Sequence, residues 1–268
     1  MIIGNKTFDT ENHGYIMGIL NVTPDSFSDG GRYDQLDAAL KHAEEMILDG
    51  ATIIDVGGES TRPGYTMISD EEEIERVTPV IEAIKKEFDI PVSLDTYKSK
   101  VAMAGIKAGA DLINDIWGLK WDGTMAEVLA KTGVASCLMH NRKNTDYTDY
   151  LNDVIADLDE TMEMAKKAGI KKETIMLDPG IGFAKDLDQN LELMNHLELL
   201  DKWGVPILLG TSRKSMIGLT LDLPKDQRME GTVATTVSGY MKGCRFFRVH
   251  DVKENMRAMK MIEAICAK

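Results

Sequence analysis

Eight short apolar runs in this sequence each close on, or lead into, a side chain able to do chemistry. The runs at 15–20, 52–56, 92–94, 112–113, 135–139, 175–177, 207–209 and 246–249 bring forward Asn21, Asp55, Asp95, Asn114 with Asp115, His140, Asp178, the string Thr211-Ser212-Arg213-Lys214, and Arg248 with His250. One Asp or Asn at a strand end is ordinary turn or cap chemistry. Eight polar ends at once point to a shared pocket, although any single member can still be a cap. Two loops extend the set. Asn21-Val22-Thr23-Pro24-Asp25-Ser26-Phe27-Ser28-Asp29-Gly30-Gly31 is long, Gly-rich and carries an exposed-looking Phe27. Gly57-Gly58-Glu59-Ser60-Thr61-Arg62-Pro63-Gly64 sets Arg62 among small residues whose backbone can approach a ligand closely. Loops of this kind over a pocket act as lids or binding segments.

The elements that must position these groups follow from periodicity. The apolar runs are too short for helices, and near-continuous hydrophobicity suits parallel strands covered on both faces. Between them, Leu36, Ala39, Leu40, Ala43, Met46 and Ile47 fall at helical spacing, as do Leu151, Val154, Ile155, Leu158 and Met162, and then Val252, Met256 and Met259. Thr78 as N-cap with Pro79 in the first turn predicts a helix start there. Gly50, Gly109, Gly133, Gly204 and Gly243 are placed to end helices in left-handed caps. Eight strand–helix units in one domain predict a single-domain α/β fold, the (β/α)8 TIM barrel, with its reactive face at the C-terminal strand ends. A doubly wound sheet is the alternative, but its Gly-x-Gly-x-x-Gly fingerprint is absent.

Composition limits the partners. Of 268 residues, 31 are Lys or Arg and 44 are Asp or Glu, a formal charge of −13. That balance argues against nucleic acid and against an anionic membrane face. A small anionic substrate is compatible with it, since a few focused cations override the global sign. The apolar stretches are strand-sized, and residues 1–6 lack the features of a signal peptide. Three widely spaced cysteines, Cys137, Cys244 and Cys266, read as reduced thiols of a cytoplasmic protein.

The motifs together resemble those of the dihydropteroate synthase family. The resemblance rests on the strings from Asn21 to Phe27, from Asp55 to Pro63, Asp178-Pro179-Gly180-Ile181-Gly182-Phe183, Gly210-Thr211-Ser212-Arg213-Lys214 and Arg248-Val249-His250-Asp251, with Asp95 and Asn114-Asp115 between them in order. It spans essentially the whole chain, implying one pterin-binding barrel domain over 1–268. One departure is visible: many family members read His-Met-Gln-Gly after the fifth strand, whereas this chain reads Met139-His140-Asn141-Arg142.

The resemblance implies a reaction in folate biosynthesis. The amine of para-aminobenzoate displaces pyrophosphate from the methylene of 6-hydroxymethyl-7,8-dihydropterin pyrophosphate, giving 7,8-dihydropteroate. It also implies roles. Asp178, Asp95 and Asn114 would bind the pterin, with Lys214 donating to its carbonyl or ring nitrogen and Ile116 and Met139 as apolar walls. Arg62, Arg248 and His250 would hold the pyrophosphate, and Arg248 can also lie against the pterin face. Phe27, Pro63 and Phe183 would surround the benzoate, Ser215 or Ser212 would receive its carboxylate, and Thr61 is a further substrate-binding candidate. Asp25 would stabilise a transient cation after pyrophosphate leaves, so Asp25, Arg62 and Lys214 are the catalytic candidates. Mg²⁺ on the pyrophosphate, with Asn21 as its ligand, and a homodimer formed through late helices complete the implied set. A corrinoid methyltransferase barrel shares the pterin pocket but has no pyrophosphate to hold, and Arg62 with the Arg248/His250 pair argues against it. A silent folate-binding scaffold would be expected to lose its polar strand ends, and here they are intact.

Overall fold

Two-residue alternation along each strand divides this molecule into an inner and an outer core. The computed structural model describes residues 1–23, 32–60 and 66–267, without the side chains of residues 32 and 33. After a short antiparallel pair, β1 (Ile2–Ile3) and β2 (Lys6–Thr7), the barrel strands are β3 (Tyr15–Asn21), β4 (Ile53–Gly57), β5 (Val92–Asp95), β6 (Leu112–Asp115), β7 (Ala135–Met139), β8 (Ile175–Asp178), β9 (Leu208–Leu209) and β10 (Phe246–Val249). They form one parallel sheet in the order β8-β7-β6-β5-β4-β3-β10-β9. A parallel bridge between Leu177 and Ile207 closes the ring. The described residues therefore form a (β/α)8 barrel.

The helices are α1 (Arg32–Leu48), α2 (Asp70–Glu87), α3 (Ser99–Ala108), α4 (Met125–Thr132), α5 (Tyr150–Ala168), α6 (Leu187–Asn195), α7 (Ser215–Leu221), α8 (Met229–Met241) and α9 (Val252–Cys266). Outward strand residues such as Ile54, Leu94, Leu138, Leu177 and Phe247 are buried against the helices in one large cluster. Inward residues Met17, Ile53, Leu112, Cys137, Met176, Leu208 and Phe246 fill the lower barrel, where Ile3 and Phe8 join them. Each buried aliphatic or aromatic side chain of this kind contributes about 1.5–3 kcal/mol relative to exposure.

Helix ends follow the glycines. Gly50, Gly109, Gly133, Gly204 and Gly243 all lie at positive φ. The expected helix start at Thr78 and Pro79 is not observed. Pro79 lies inside α2, whose N-cap is Ser69, accepting from Glu72 N–H at 3.1 Å. Four acidic residues, 70 to 73, occupy the first turn, favoured by the helix dipole. Thr78 donates back to Ile74 O at 2.8 Å instead of capping. The apolar stripe Val77, Val80, Ile81 and Ile84 is buried, and its packing outweighs the bond that Pro79 cannot donate.

Candidate active site

The same alternation that buries apolar residues low in the barrel turns polar ones inward at its C-terminal mouth. Ile53 is followed inward by Asp55 and Gly57, Ser93 by Asp95, Leu112 by Asn114, Met176 by Asp178, Leu208 by Gly210, and Phe246 by Arg248. Asn21 continues the inward row of β3. The polar strand ends therefore split into two groups. Asp115 and His140 fall on the outward parity and do not join the pocket. Asp115 accepts from Trp117 N–H at 2.9 Å and Leu119 N–H at 2.7 Å, capping the turn after β6. His140 is buried between Asp157 and Lys185.

Arg248 organises the floor. Its Nε donates to Asp55 Oδ2 and its Nη2 to Asp95 Oδ2, both at 2.6 Å. Burial works against its charge, but Asp55 and Asp95 hold it above its ordinary pKa. Burial pushes Asp95 up to about 7 against the pull of Arg248, with the Asp55 charge adding to the rise. The second oxygen of each carboxylate, Asp55 Oδ1 and Asp95 Oδ1, is buried without a hydrogen-bond partner. Asn114 is 3% exposed and its amide makes no hydrogen bond among the described residues.

Asp178 faces the other side of the floor. Its Oδ1 accepts from Gly180 N–H at 2.7 Å. Oδ2 lies 3.6 Å from where a Cβ on Gly210 would stand, and Lys214 Nζ lies 3.9 Å from that same point. Gly210 thus leaves a space between an acceptor and a cation that any larger residue would occupy. Burial raises the Asp178 pKa, opposed chiefly by Lys214. Lys214 is pushed down to about 8 by burial against the pull of Asp178. Its Nζ donates to Ile181 O and stands 4.6 Å from the Phe183 ring centre. Tyr97, Ile116 and Met139 form a small apolar cluster with Trp117 and Phe183 packed against it. This wall beside buried acceptors and amides suits a flat, polar-edged heterocycle.

His250 and Ser212 form a second pair. Ser212 Oγ accepts from His250 N–H at 3.1 Å and lies 2.9 Å from His250 Nδ1. This bond engages Nδ1 and leaves Nε2 for a ligand. Burial and the nearby Arg248 push His250 down to about 3. His250 is therefore neutral in the free protein, not a cation. An anion bound against it favours the protonated form and raises that value. The expected imidazole NMR signal is flat from pH 8 to 5 in the free protein, and its titration moves upward with pyrophosphate bound. A His250 titrating near 6.5 in the free protein would contradict this assignment. Ser212 is committed to His250, whereas Ser215, at the start of α7, has an exposed side chain. Asp25, Phe27, Thr61, Arg62 and Pro63 lie outside the described residues.

Sequence reasoning assigned no role to a buried ionic cluster flanking residues 61–65. Glu59 Oε2 accepts from Lys98 Nζ at 2.7 Å and from Ile68 N–H at 2.8 Å, and Tyr97 donates its hydroxyl to Glu59. Lys98 Nζ also reaches Glu73 at 2.8 Å and Ile68 O at 2.8 Å. Burial raises Glu73, opposed by Lys98. The cluster ties position 59 to position 68. Its sequence signal was Glu59 within Gly57-Gly58-Glu59-Ser60; Lys98 carried none.

Fold and pocket together define a pterin-binding barrel enzyme, and residues 17–250 match the family described as pterin binding enzymes. The dihydropteroate synthase of Clostridium beijerinckii is 63% identical over 266 residues, covering 99% of both chains. That of Bacillus subtilis is 56% identical over 253 residues, covering 94% of this chain and 89% of its own. A crystal structure of the Clostridium difficile dihydropteroate synthase in the presence of pteroic acid superposes with a TM-score of 0.95 at 50% identity, covering 98% of this chain and 100% of that one. The Xanthomonas albilineans synthase with 4-aminobenzoic acid gives 0.92 at 40% identity, covering 96% and 94%. This chain belongs to the dihydropteroate synthase family.

Proposed function

We infer that this chain condenses 6-hydroxymethyl-7,8-dihydropterin pyrophosphate with para-aminobenzoate, releasing pyrophosphate and 7,8-dihydropteroate. The observation that carries this is the Asp178–Lys214 gap over Gly210, with Asp95 and Asn114 opposite. Asp178 Oδ2 and Asp95 Oδ1 accept from the pterin's N–H edge, Asn114 pairs with its mixed edge, and Lys214 donates to its acceptors. The C–O bond to pyrophosphate breaks with its electron pair on the leaving oxygen. The benzoate amine then forms the C–N bond, and its proton leaves to solvent. A neutral aromatic amine needs no strong base, so cation stabilisation and anion binding dominate. Arg248, His250 and Arg62 take the pyrophosphate, Asp25 is assigned to stabilise the transient cation, and Thr61, Pro63, Phe183 and Ser215 are assigned to the benzoate.

Mg²⁺ belongs to the same proposal. Among the described residues no three His, Cys, Asp or Glu side chains gather to hold a metal. Asn21 Oδ1 and Asp95 Oδ2 stand 3.7 and 3.8 Å from the Cβ position of Gly57. Asp95 Oδ2 is taken by Arg248, and the Asn21 oxygen is the proposed ligand. One neutral oxygen fits an ion that keeps most of its water and phosphate ligands. When bound, Mg²⁺ neutralises charge on the leaving pyrophosphate.

A cytoplasmic homodimer completes the reading, supported by exposed Leu219, Leu221 and Met241 on the late helices. No helix among the described residues is long and apolar enough to cross a membrane. The decisive assay incubates the protein with the dihydropterin pyrophosphate, Mg²⁺ and para-aminobenzoate. Pyrophosphate and dihydropteroate are expected in equal amounts; a protein that binds the pterin but releases no pyrophosphate would overturn the assignment. Sedimentation at micromolar concentration tests the dimer.

A further inference from the structure

Behind the turn that carries Asp178 lies a buried lysine that the chemistry above does not use. Lys185 is 9% exposed. Its Nζ has three acceptors: Gly180 O at 3.0 Å, Phe183 O at 3.0 Å and His140 Nδ1 at 2.8 Å. The state of this cluster follows from its outer side. His140 Nε2 lies 2.9 Å from Asp157 Oδ2, and Asp157 is itself held by Arg142. An ionised carboxylate only accepts, so Nε2 carries the proton. Burial keeps His140 neutral, pushing it down to about 4, so Nδ1 is bare and accepts from Lys185. Three acceptors around one nitrogen require an ammonium, and no N–H is left for a ligand.

Two of those acceptors belong to the turn itself. Gly180 N–H donates to Asp178 Oδ1, and Phe183 N–H closes onto Gly180 O at 3.0 Å. Gly180 lies at φ +71°, and a Cβ there would stand 1.9 Å from His140 O, so the turn is pressed against the end of β7. Lys214 holds Ile181 O on the pocket side. Arg142 adds a contact from the same side: its guanidinium lies 4.4 Å from the Tyr147 ring centre, and Tyr147 donates to Ala184 O at 2.9 Å. The segment after β7 therefore braces the same turn.

We propose that Lys185 is a positioning residue for pterin binding: it holds the 180–183 turn so that Asp178 presents its free oxygen to the pocket, and it keeps that oxygen charged. The inference rests on Asp178 as the pterin acceptor. The cations acting on Asp178 are Lys214 at the start of α7, Lys185 from its own turn and Arg248 from β10. Lys185 in turn faces Asp178, Lys214, Asp157 and Arg142, with burial pushing it down to about 7. Removing the Lys185 charge raises the Asp178 pKa, so the acid limb of pterin binding moves to higher pH.

The test titrates the full chain with 6-hydroxymethylpterin by calorimetry from pH 5 to 9, with urea melts alongside, for wild type, Lys185→Met and Asp178→Asn. Lys185→Met is expected to lose at least tenfold in affinity at pH 7 and to shift the acid limb upward. Unchanged affinity, or lost affinity with an unmoved limb, overturns the proposal, the latter leaving Lys185 as mere scaffold. Should Lys185→Met not fold, His140→Leu removes one acceptor of the ammonium and must shift the limb in the same direction; a stationary limb overturns the proposal. Asp178→Asn binding normally would overturn the acceptor role of Asp178 and this inference with it. Asp178→Asn failing while Lys185→Met binds normally overturns this inference alone.

Discussion

Asp178→Asn is expected to lower affinity for the pterin about a hundredfold while the barrel still folds. The two oxygens of Asp178 have different work. Oδ1 accepts from Gly180 N–H at 2.7 Å, and Oδ2 is turned to the gap beside Lys214. An asparagine oxygen must take over the Gly180 bond, since the reverse orientation sets NH₂ against N–H. The NH₂ group then occupies the place of Oδ2, where it meets a pterin donor and the Lys214 ammonium. One acceptor bond becomes a donor–donor contact, and the remaining bond loses its charge. About 3 kcal/mol is the expected loss in a site this buried, or on the order of a hundredfold in Kd. Folding should survive, because the turn bond is kept and the removal of a charge that burial disfavours offsets part of what Lys214 and Lys185 lose with their counter-charge. Calorimetry with a pterin lacking pyrophosphate and a urea melt separate the two effects. A destabilised variant that binds pterin normally would reduce Asp178 to a cap for the β8 turn.

Strand placement was legible because parallel barrel strands are buried on both faces and read as uninterrupted apolar runs. The runs at 135–139 and 246–249 coincide with β7 and β10, and the others differ by one or two residues. What the run pattern did not separate was which polar ends face inward. That information was present as parity: Asp178 lies two residues from Met176 and Asn114 two from Leu112, on the inward row. Asp115 and His140 fall one step off it. Pro79 misled because a local start signal competed with a buried stripe formed only in the folded molecule. The Lys98–Glu59–Glu73 cluster and the Lys185–His140–Asp157 chain were invisible for a related reason. Each joins residues far apart in sequence, and a lone Lys after a strand has no periodicity or motif to mark it. Ser212 and Ser215 remained interchangeable until the structure put one of them on His250.

Replacing Arg248 with Met should cost the largest stability loss among the pocket residues, with a pH signature that identifies its cause. The guanidinium donates to Asp55 and Asp95 at 2.6 Å each, and these carboxylates are 0% and 8% exposed. Methionine keeps much of the length and removes every donor. Breaking a buried ion pair from one side leaves uncompensated charge, typically a loss of about 3–5 kcal/mol. Asp95 already sits at about 7, above its ordinary value of 3.8. A carboxyl with a raised folded pKa binds its proton more tightly in the folded state. Its contribution is present at low pH and is lost as pH rises through the folded pKa. In wild type that loss is complete soon above pH 7. Without Arg248 the Asp95 pKa climbs further, so the variant goes on losing stability at up to about 1.4 kcal/mol per pH unit. The gap between variant and wild type should therefore be modest at pH 6 and widen by pH 9 in urea unfolding. Adding Asp55→Asn removes one stranded charge and should recover part of the stability. It should not recover turnover, because the cation that faces the pyrophosphate is still missing. A deficit under about 1 kcal/mol that does not change with pH would place Arg248 with exposed surface pairs and leave the buried carboxylates to be held by something else.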